Sequence, residues 1–171
     1  ERLIGIIQPR RNAKAAKEKG TLAPLYQTGC AGRITSFSET GDGGYLITLT
    51  GVSRFRIDKE LAATRGYRCI RPDWAPFTED RKPVDDLGLD RKSLKELLSE
   101  YFQQNGLSCE WDIIDRAPDE RLINCLAMIC PFDPGEKQAL LEAPCCHQRA
   151  ERFITMLKMA VHAKDESNGC H

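Results

Sequence analysis

The sequence predicts an α+β fold, with strands in its first half and helices in its second. Three observations carry that prediction. Short apolar runs punctuated by glycine turns fill residues 3 to about 74. From Asp90 onward the apolar period lengthens to that of a helix. The two signals do not interleave, which is the segregated pattern of α+β chains, not the alternation of a parallel sheet.

The elements follow in order. Leu3–Ile7 is a first apolar strand. Residues 11–20 are basic, small and polar, and read as a loop or one frayed turn. Gly29–Phe37 is a second strand. The run Glu39-Thr40-Gly41-Asp42-Gly43-Gly44 supplies the positive φ of a hairpin turn. Tyr45–Thr50 alternates, with Tyr45, Ile47 and Leu49 on one face and Leu46, Thr48 and Thr50 on the other. Gly51 marks a bulge or bend before Val52–Ile57 continues. Tyr67–Arg71 is the last strand, closed by Pro72. Several short strands with glycine turns predict a small barrel or sandwich. A connector follows, in which Trp74, Phe77 and Leu87 are able to pack. Leu94, Leu97, Leu98, Tyr101 and Phe102 line one face of a helix, and Asn105-Gly106 ends it. A second stripe runs from Leu122 to Ile129. Asp133-Pro134-Gly135-Glu136 opens a third helix as cap, first residue and capping-box partner. Ala150, Phe153, Ile154, Leu157, Ala160 and Val161 mark a fourth. The domain reading is therefore residues 1–75 as the β part, 76–89 as connector, 90–164 as the helical part and 165–171 as a frayed tail.

Composition narrows the function. The chain has 171 residues, 41% of them apolar, with 25 basic against 25 acidic side chains and no net charge. That balance disfavours an acidic disordered tail and a strongly basic nucleic-acid module. No run of 18 apolar residues offers a membrane-spanning helix. Eight cysteines lie below the roughly 8–10% of a disulfide scaffold, and no pair reads C-x-x-C. They read as reduced thiols in a cytoplasmic protein, with Cys30, Cys69 and Cys125 in apolar, buried settings. The first residue is Glu1, and the chain opens as if a strand were already under way.

Familiar catalytic patterns are missing. No Gly-Lys-Ser or Gly-Lys-Thr phosphate loop, G-x-S-x-G elbow or H-E-x-x-H helix occurs. Gly41–Gly44 lies between strands, so it is a turn and not a dinucleotide loop. Cys145, Cys146, His147, Cys170 and His171 could furnish zinc ligands, but adjacent cysteines lack structural-zinc spacing. Cys146 and His147 are sequence neighbours, about 100° apart on a helix, and do not form a nucleophile pair. Asp112, Asp115, Asp119, Glu120 and Asp133 read as helix caps and dipole partners. Arg33, Arg54 and Arg56 read as strand arginines that pair with acids or lie along the wall. Neither a catalytic residue, a cofactor site nor a metal site is predicted. Tyr26, Trp74, Phe77 and Trp111, near element ends, are core residues or peptide-contact residues; the contact reading is carried forward.

Two stretches resemble a known family. The first is Leu25-Tyr26-x-x-Gly29-Cys30-Ala31-Gly32-Arg33-Ile34 with Gly51-Val52-Ser53-Arg54-Phe55-Arg56-Ile57. The second is Pro131-Phe132-x-x-Gly135-Glu136-Lys137-Gln138-x-Leu140-Leu141-Glu142. Together they resemble the amino-terminal domain of Lon proteases, and closely the short stand-alone Lon-domain proteins of bacteria. The resemblance implies a PUA-like β pseudo-barrel followed by helices, with opening strands ahead of Leu3. It implies a non-catalytic role in protein quality control: recognising unfolded or tagged polypeptides, as an adaptor to an ATP-dependent protease. It carries no ATPase and no Ser–Lys protease part. Two rival readings stand beside it. One is a PUA-like RNA-binding module using Arg11, Lys14, Lys17 and Lys19, against which the neutral charge argues. The other is a redox or enzymatic device built on Cys145, Cys146 and His147.

Overall fold

A computed structural model describes residues 3–10, 22–62, 66–82, 84 and 86–168, with side chains to residue 163. The predicted loop at 11–20, with its lysines, and the tail residues Cys170 and His171 lie outside the described residues. The chain divides into two compact units, Glu1–Lys82 and Pro83–His171.

The first unit is an antiparallel sheet in the order β1-β2-β3-β4, formed by Leu3–Ile6, Thr28–Glu39, Tyr45–Leu61 and Cys69–Asp73. The two runs separated by Gly51 are one continuous strand. The interruption predicted there is a bulge: Ala31 pairs with Ser53 and Gly32 with Gly51, leaving Val52 as the extra residue. A second bulge at Thr35 lies between the Ile34–Leu49 and Ser36–Thr48 pairs. Pro72 pairs with Ile57 inside β4, at the sheet edge where a missing N–H is tolerated. After β4 the predicted connector is a 3₁₀ turn, Ala75–Arg81, with Pro76 in its first turn.

Phe55 is the centre of this unit's core. Its ring meets Trp74 edge-on, with centroids 5.7 Å apart. Two glycines make room for it. A Cβ added to Gly29 would lie 2.8 Å from the Phe55 ring and 2.8 Å from the Ile6 carbonyl, and one added to Gly5 would lie 3.1 Å from the ring. Few other apolar side chains of this unit are buried: among the described residues, Ala31 and Phe77.

The second unit is helical throughout: α1 (Arg91–Asn105), α2 (Trp111–Arg116), α3 (Asp119–Ile129), α4 (Pro134–Leu141) and α5 (Cys146–Asn168). Asp90 caps α1, and Gly106 ends it with a left-handed φ of 63°. Asp133 and Glu136 form the predicted capping box at α4. The core is a large cluster that includes Leu98, Phe102, Ile123, Phe132, Phe153 and Leu157. Three sequence expectations differ. The short helix α2 has too few residues to show a period, so its sequence gave no helical signal. Ile129, counted into the α3 stripe, is exposed at the helix end. Helix α5 continues to Asn168, through residues expected to fray from 165.

Candidate functional site

The site emerges from the alternation of the sheet. Paired residues in neighbouring strands point to the same face. Ile34 and Leu49 pair, as do Phe37 and Ile47, and Tyr45 lies two residues beyond Ile47 on the same side. Ile34 and Phe37 are three apart and would ordinarily point to opposite faces. The extra residue at Thr35 returns them to one face. Following the same register inward, Gly32 pairs with Gly51 and with Ile4, and Cys30 pairs with Ile6. One face of the sheet therefore carries an apolar strip from β1 to the hairpin turn, with Arg54 beside Cys30 at its inner end and Glu39 at its far end.

This strip is exposed. Fractional exposures are 38% at Ile4, 54% at Ile6, 61% at Phe37, 65% at Tyr45 and 43% at Ile47. Scattered apolar side chains on a surface are normal, but a contiguous set on one sheet face marks an interaction surface. The strip also has a relief. Leu49 leans across Gly32, whose added Cβ would stand 3.0 Å from it, whereas Gly51 has only the Cys30 Sγ, at 3.8 Å. The result is a bare spot at Gly51 between bulkier neighbours. The alternation of Tyr45, Ile47 and Leu49 was legible in the sequence, but such alternation ordinarily means a face turned to a core. Here it is turned to solvent.

The sheet edge at β1 adds a second feature. β1 pairs with β2 on one side only, as the terminal strand of the sheet among the described residues. Beyond it, residues 8–10 run against 24–26: Arg10 donates its backbone N–H to the Pro24 carbonyl at 2.8 Å, and Tyr26 donates to Gln8 at 3.0 Å.

The four aromatic residues singled out by sequence are dispersed. Tyr26 is half-buried in this second pairing, with the Arg10 guanidinium 5.6 Å from its ring centroid. Trp74 is half-buried against Phe55. Phe77 is 6% exposed and lies under the Arg54 guanidinium at 4.5 Å, which leaves little of its ring for a partner. Trp111 belongs to the second unit, half-buried against Phe102 at 6.3 Å with the Lys95 ammonium 5.5 Å from its ring. Tyr26, Trp74 and Phe77 lie in one unit, and Trp111 in the other.

Arg54 anchors the 3₁₀ turn. The Asp80 carboxylate accepts from Arg54 Nε at 2.9 Å, from Nη2 at 2.6 Å and from the Arg54 backbone N–H at 2.9 Å. A planar guanidinium fork matches a carboxylate in this way. Arg33 and Arg56 are exposed on the strands. In the second unit Asp119 is buried and is more than a helix cap. Its carboxylate accepts from the Leu87 N–H at 2.9 Å and from Arg91, which also donates to the Ala117 carbonyl at 2.7 Å. Burial pushes the Asp119 carboxyl up, but the Leu87 and Arg91 donors outweigh it and leave the group below its ordinary value.

Among the described residues no three His, Cys, Asp or Glu side chains are grouped to hold a metal. Cys145 and Cys146 are half-buried at the start of α5, and His147 is exposed. Cys30, Cys69 and Cys125, expected to be buried, are only half-buried. The buried thiol is Cys130, and burial pushes its pKa up to about 11. No helix among the described residues is long and apolar enough to cross a membrane.

Comparison with known proteins gives a consistent result. Residues 2–159 match the family model described as the ATP-dependent protease La (LON) substrate-binding domain. A curated relative, Lon protease 2 of Myxococcus xanthus, is 24% identical over 159 residues, which are 92% of this chain but 19% of that protein. The chain thus spans about a fifth of that relative's length. Among solved structures, the N-terminal domain of Mycobacterium avium complex Lon protease aligns with TM-score 0.57 and 20% identity, over 91% of this chain and 89% of that one. A Lon N-terminal domain protein from Xanthomonas campestris aligns with TM-score 0.48 and 19% identity, over 90% and 88%.

Proposed function

Because the chain belongs to the family of Lon substrate-binding domains, we propose that it binds unfolded or tagged polypeptides without cleaving them and presents them to an ATP-dependent protease. The observation that carries this reading is the exposed apolar strip on the β2–β3 arm. An extended polypeptide has two ways to use it. Its apolar side chains cover Phe37, Tyr45 and Ile47, and its backbone adds to the edge of β1. Both modes are indifferent to sequence, which suits a receptor for many unfolded chains. Tyr26 and Trp74 add partial ring faces on the same unit, and Trp111 adds one on the other. Phe77 contributes by holding Arg54. A cytoplasmic setting and a bacterial quality-control role go with this reading.

Ordering a flexible chain costs entropy, so affinity should be modest and improve when several segments bind at once. The test is fluorescence anisotropy with a labelled, reduced and alkylated polypeptide, against the same protein in its native disulfide-bonded form. The expected result is a preference for the unfolded form, little sensitivity to salt, no fragments on a gel, and weaker binding by Phe37→Ser. Equal affinity for folded and unfolded forms would sink the reading. A steep loss of RNA affinity with salt would instead favour the nucleic-acid alternative.

A further inference from the structure

The zero net charge is an average over two oppositely charged units. Residues 1–82 carry 15 basic and 9 acidic side chains, and residues 83–171 carry 10 and 16. The sheet unit therefore stands at +6 and the helical unit at −6. Asymmetry of this size governs which partners approach a surface, whatever the total. Resting on the substrate-binding reading of the strip, we infer that the sheet unit selects among unfolded polypeptides by charge. It prefers apolar segments flanked by acidic residues, and Arg56, Lys59 and Arg81 receive the acids.

Ion pairs within the sheet unit absorb part of its charge. Arg54 is taken by Asp80, Arg68 by Glu60, Arg71 by Asp58 and Lys82 by Glu79. Among the described residues, Arg10, Arg33, Arg56, Lys59 and Arg81 are in no ion pair. The acids left over are Glu39 and Asp42, at the hairpin turn, and Asp73. Asp73 pairs with Arg56 in register, but its carboxylate accepts from the Ala75 N–H at 3.0 Å. The exposed charge is thus polarised: acidic at the turn, basic at the other end.

Register puts the basic end on the face that carries the strip. Arg54 pairs with Cys30 at the strip's inner end, and Arg56 lies two residues beyond Arg54 on the same side. Arg56 and Lys59 are three apart, yet their partners on β4, Asp73 and Arg71, are two apart. The extra residue, Asp58, therefore returns Lys59 to the face of Arg56. Asp80 holds the 3₁₀ turn on this face through Arg54, and Arg81 is the next residue. Arg56, Lys59 and Arg81 are all exposed. Lys59 stands directly opposite Arg71, an unfavourable pairing of like charges. The adjoining carboxylates, Asp58 and Glu60, go to Arg71 and Arg68, so Lys59 still wants an anion.

The spacing fits a flanking segment. Thr28, the partner of Arg56, is six residues along β2 from Ile34, or about 20 Å. An unfolded chain whose apolar segment covers the strip brings residues about six positions away to the cations. The strip itself is indifferent to sequence, and the cations add a bias. An acidic polypeptide with an apolar core complements both parts of the surface. A nucleic acid carries a negative charge on every residue, and would set some of them against Glu39 and Asp42.

The test is fluorescence anisotropy on the whole chain with labelled synthetic peptides. All share one unstructured apolar core and carry Glu, Gln or Lys runs about six residues to either side. The Glu-flanked peptide should bind about three- to tenfold tighter than the Gln-flanked one at about 50 mM salt, and the Lys-flanked one weaker still. The difference should vanish by about 0.5 M salt, while the Gln-flanked affinity stays unchanged. Arg56→Gln with Lys59→Gln alters two exposed side chains outside the strip, so the variant folds. It should bring the Glu-flanked peptide close to the Gln-flanked one and leave the latter as in wild type. Phe37→Ser should weaken all three alike. Equal affinity for the three peptides overturns the charge selection and leaves the substrate reading intact. Failure of every peptide to bind overturns that reading and the inference with it. A preference that survives the double variant refutes the assignment to these cations. A single-stranded RNA that displaces the Glu-flanked peptide with a steep salt dependence gives the cations to nucleic acid and overturns the inference.

Discussion

Removing the Asp80 carboxylate tests whether Arg54 fastens the 3₁₀ turn to β3. The Arg54 side chain is 4% exposed and the Asp80 side chain 17%, so the pair is largely withdrawn from water. Asp80→Ala deletes the acceptor for Nε, Nη2 and the Arg54 backbone N–H. Breaking a buried ion pair by removing one partner costs about 3–5 kcal/mol, because the remaining charge stays desolvated. A small domain has only about 5–15 kcal/mol in total. The first unit has a small core around Phe55, so Asp80→Ala should take away much of its stability. The assay is urea unfolding followed by tryptophan fluorescence. The chain has two tryptophans, one in each unit, so a Trp111→Phe background leaves Trp74 as the reporter of the first unit. Trp74 lies against Phe55, and its emission should redden when that unit opens. Where Asp80→Ala is too unstable to handle, Arg54→Met with Asp80→Leu removes both charges and should regain most of the loss. A loss below about 1 kcal/mol in the single variant, the value of an exposed pair, would refute the reasoning.

Three further outcomes follow from the same packing. Gly29→Ala should destabilise the first unit by more than about 1–3 kcal/mol, because the new methyl meets the Ile6 carbonyl and the Phe55 ring at 2.8 Å each; the Trp74 urea curve reads it. Asp119→Asn should cost the second unit about 2 kcal/mol at neutral pH. The folded-state carboxyl is held below its ordinary 3.8, so this contribution is complete above about pH 4 and is lost as acid protonates it; the gap between wild type and variant should close on acidification. Cys130 is fully buried with its thiol pKa pushed up to about 11, so at pH 8 it should resist a thiol reagent until urea unfolds the chain, as mass spectrometry of labelled peptides would show.

Much of the fold was legible because its signals are local. The capping box at Asp133 and Glu136 and the left-handed end at Gly106 are short-range devices, and the structure has them where the sequence places them. The bulge beside Gly51 was legible for a similar reason: alternation fails there, and glycine tolerates the irregularity. What escaped depends on long-range partners. Asp119 reads as a helix cap because its position alone is visible; its bond to the Leu87 backbone spans 32 residues. Phe77 reads as a candidate contact because aromatic residues near element ends serve both roles, and only the tertiary position of Arg54 covers it. The strip was half legible. Its alternation is in the sequence, but the bulge that aligns Ile34 with Phe37 is known only from the pairing of β2 with β3.

Much of the motifs that carry the family resemblance is scaffolding, although Cys30, Gly32, Ile34 and Gly51 of the first also lie on the strip. Gly29 and Phe55 fit one another at the centre of the sheet. In the second motif, Phe132 packs edge-on against Phe153 at 5.7 Å, Gln138 and Leu140 are buried, and Lys137 ties α4 to the Met128 carbonyl at 2.9 Å. Residues of this kind fix a fold without touching a ligand. A receptor for unfolded chains has no need of a fixed constellation. It needs exposed apolar surface that does not drive aggregation of its own protein. On the proposed reading, the β2–β3 arm meets both demands. Phe37, Tyr45 and Ile47 stay open, while the bulges at Thr35 and Val52 break the regular edge on which a foreign strand would otherwise extend indefinitely. The helical unit has a large buried apolar cluster, whereas few apolar side chains of the sheet unit are buried among the described residues.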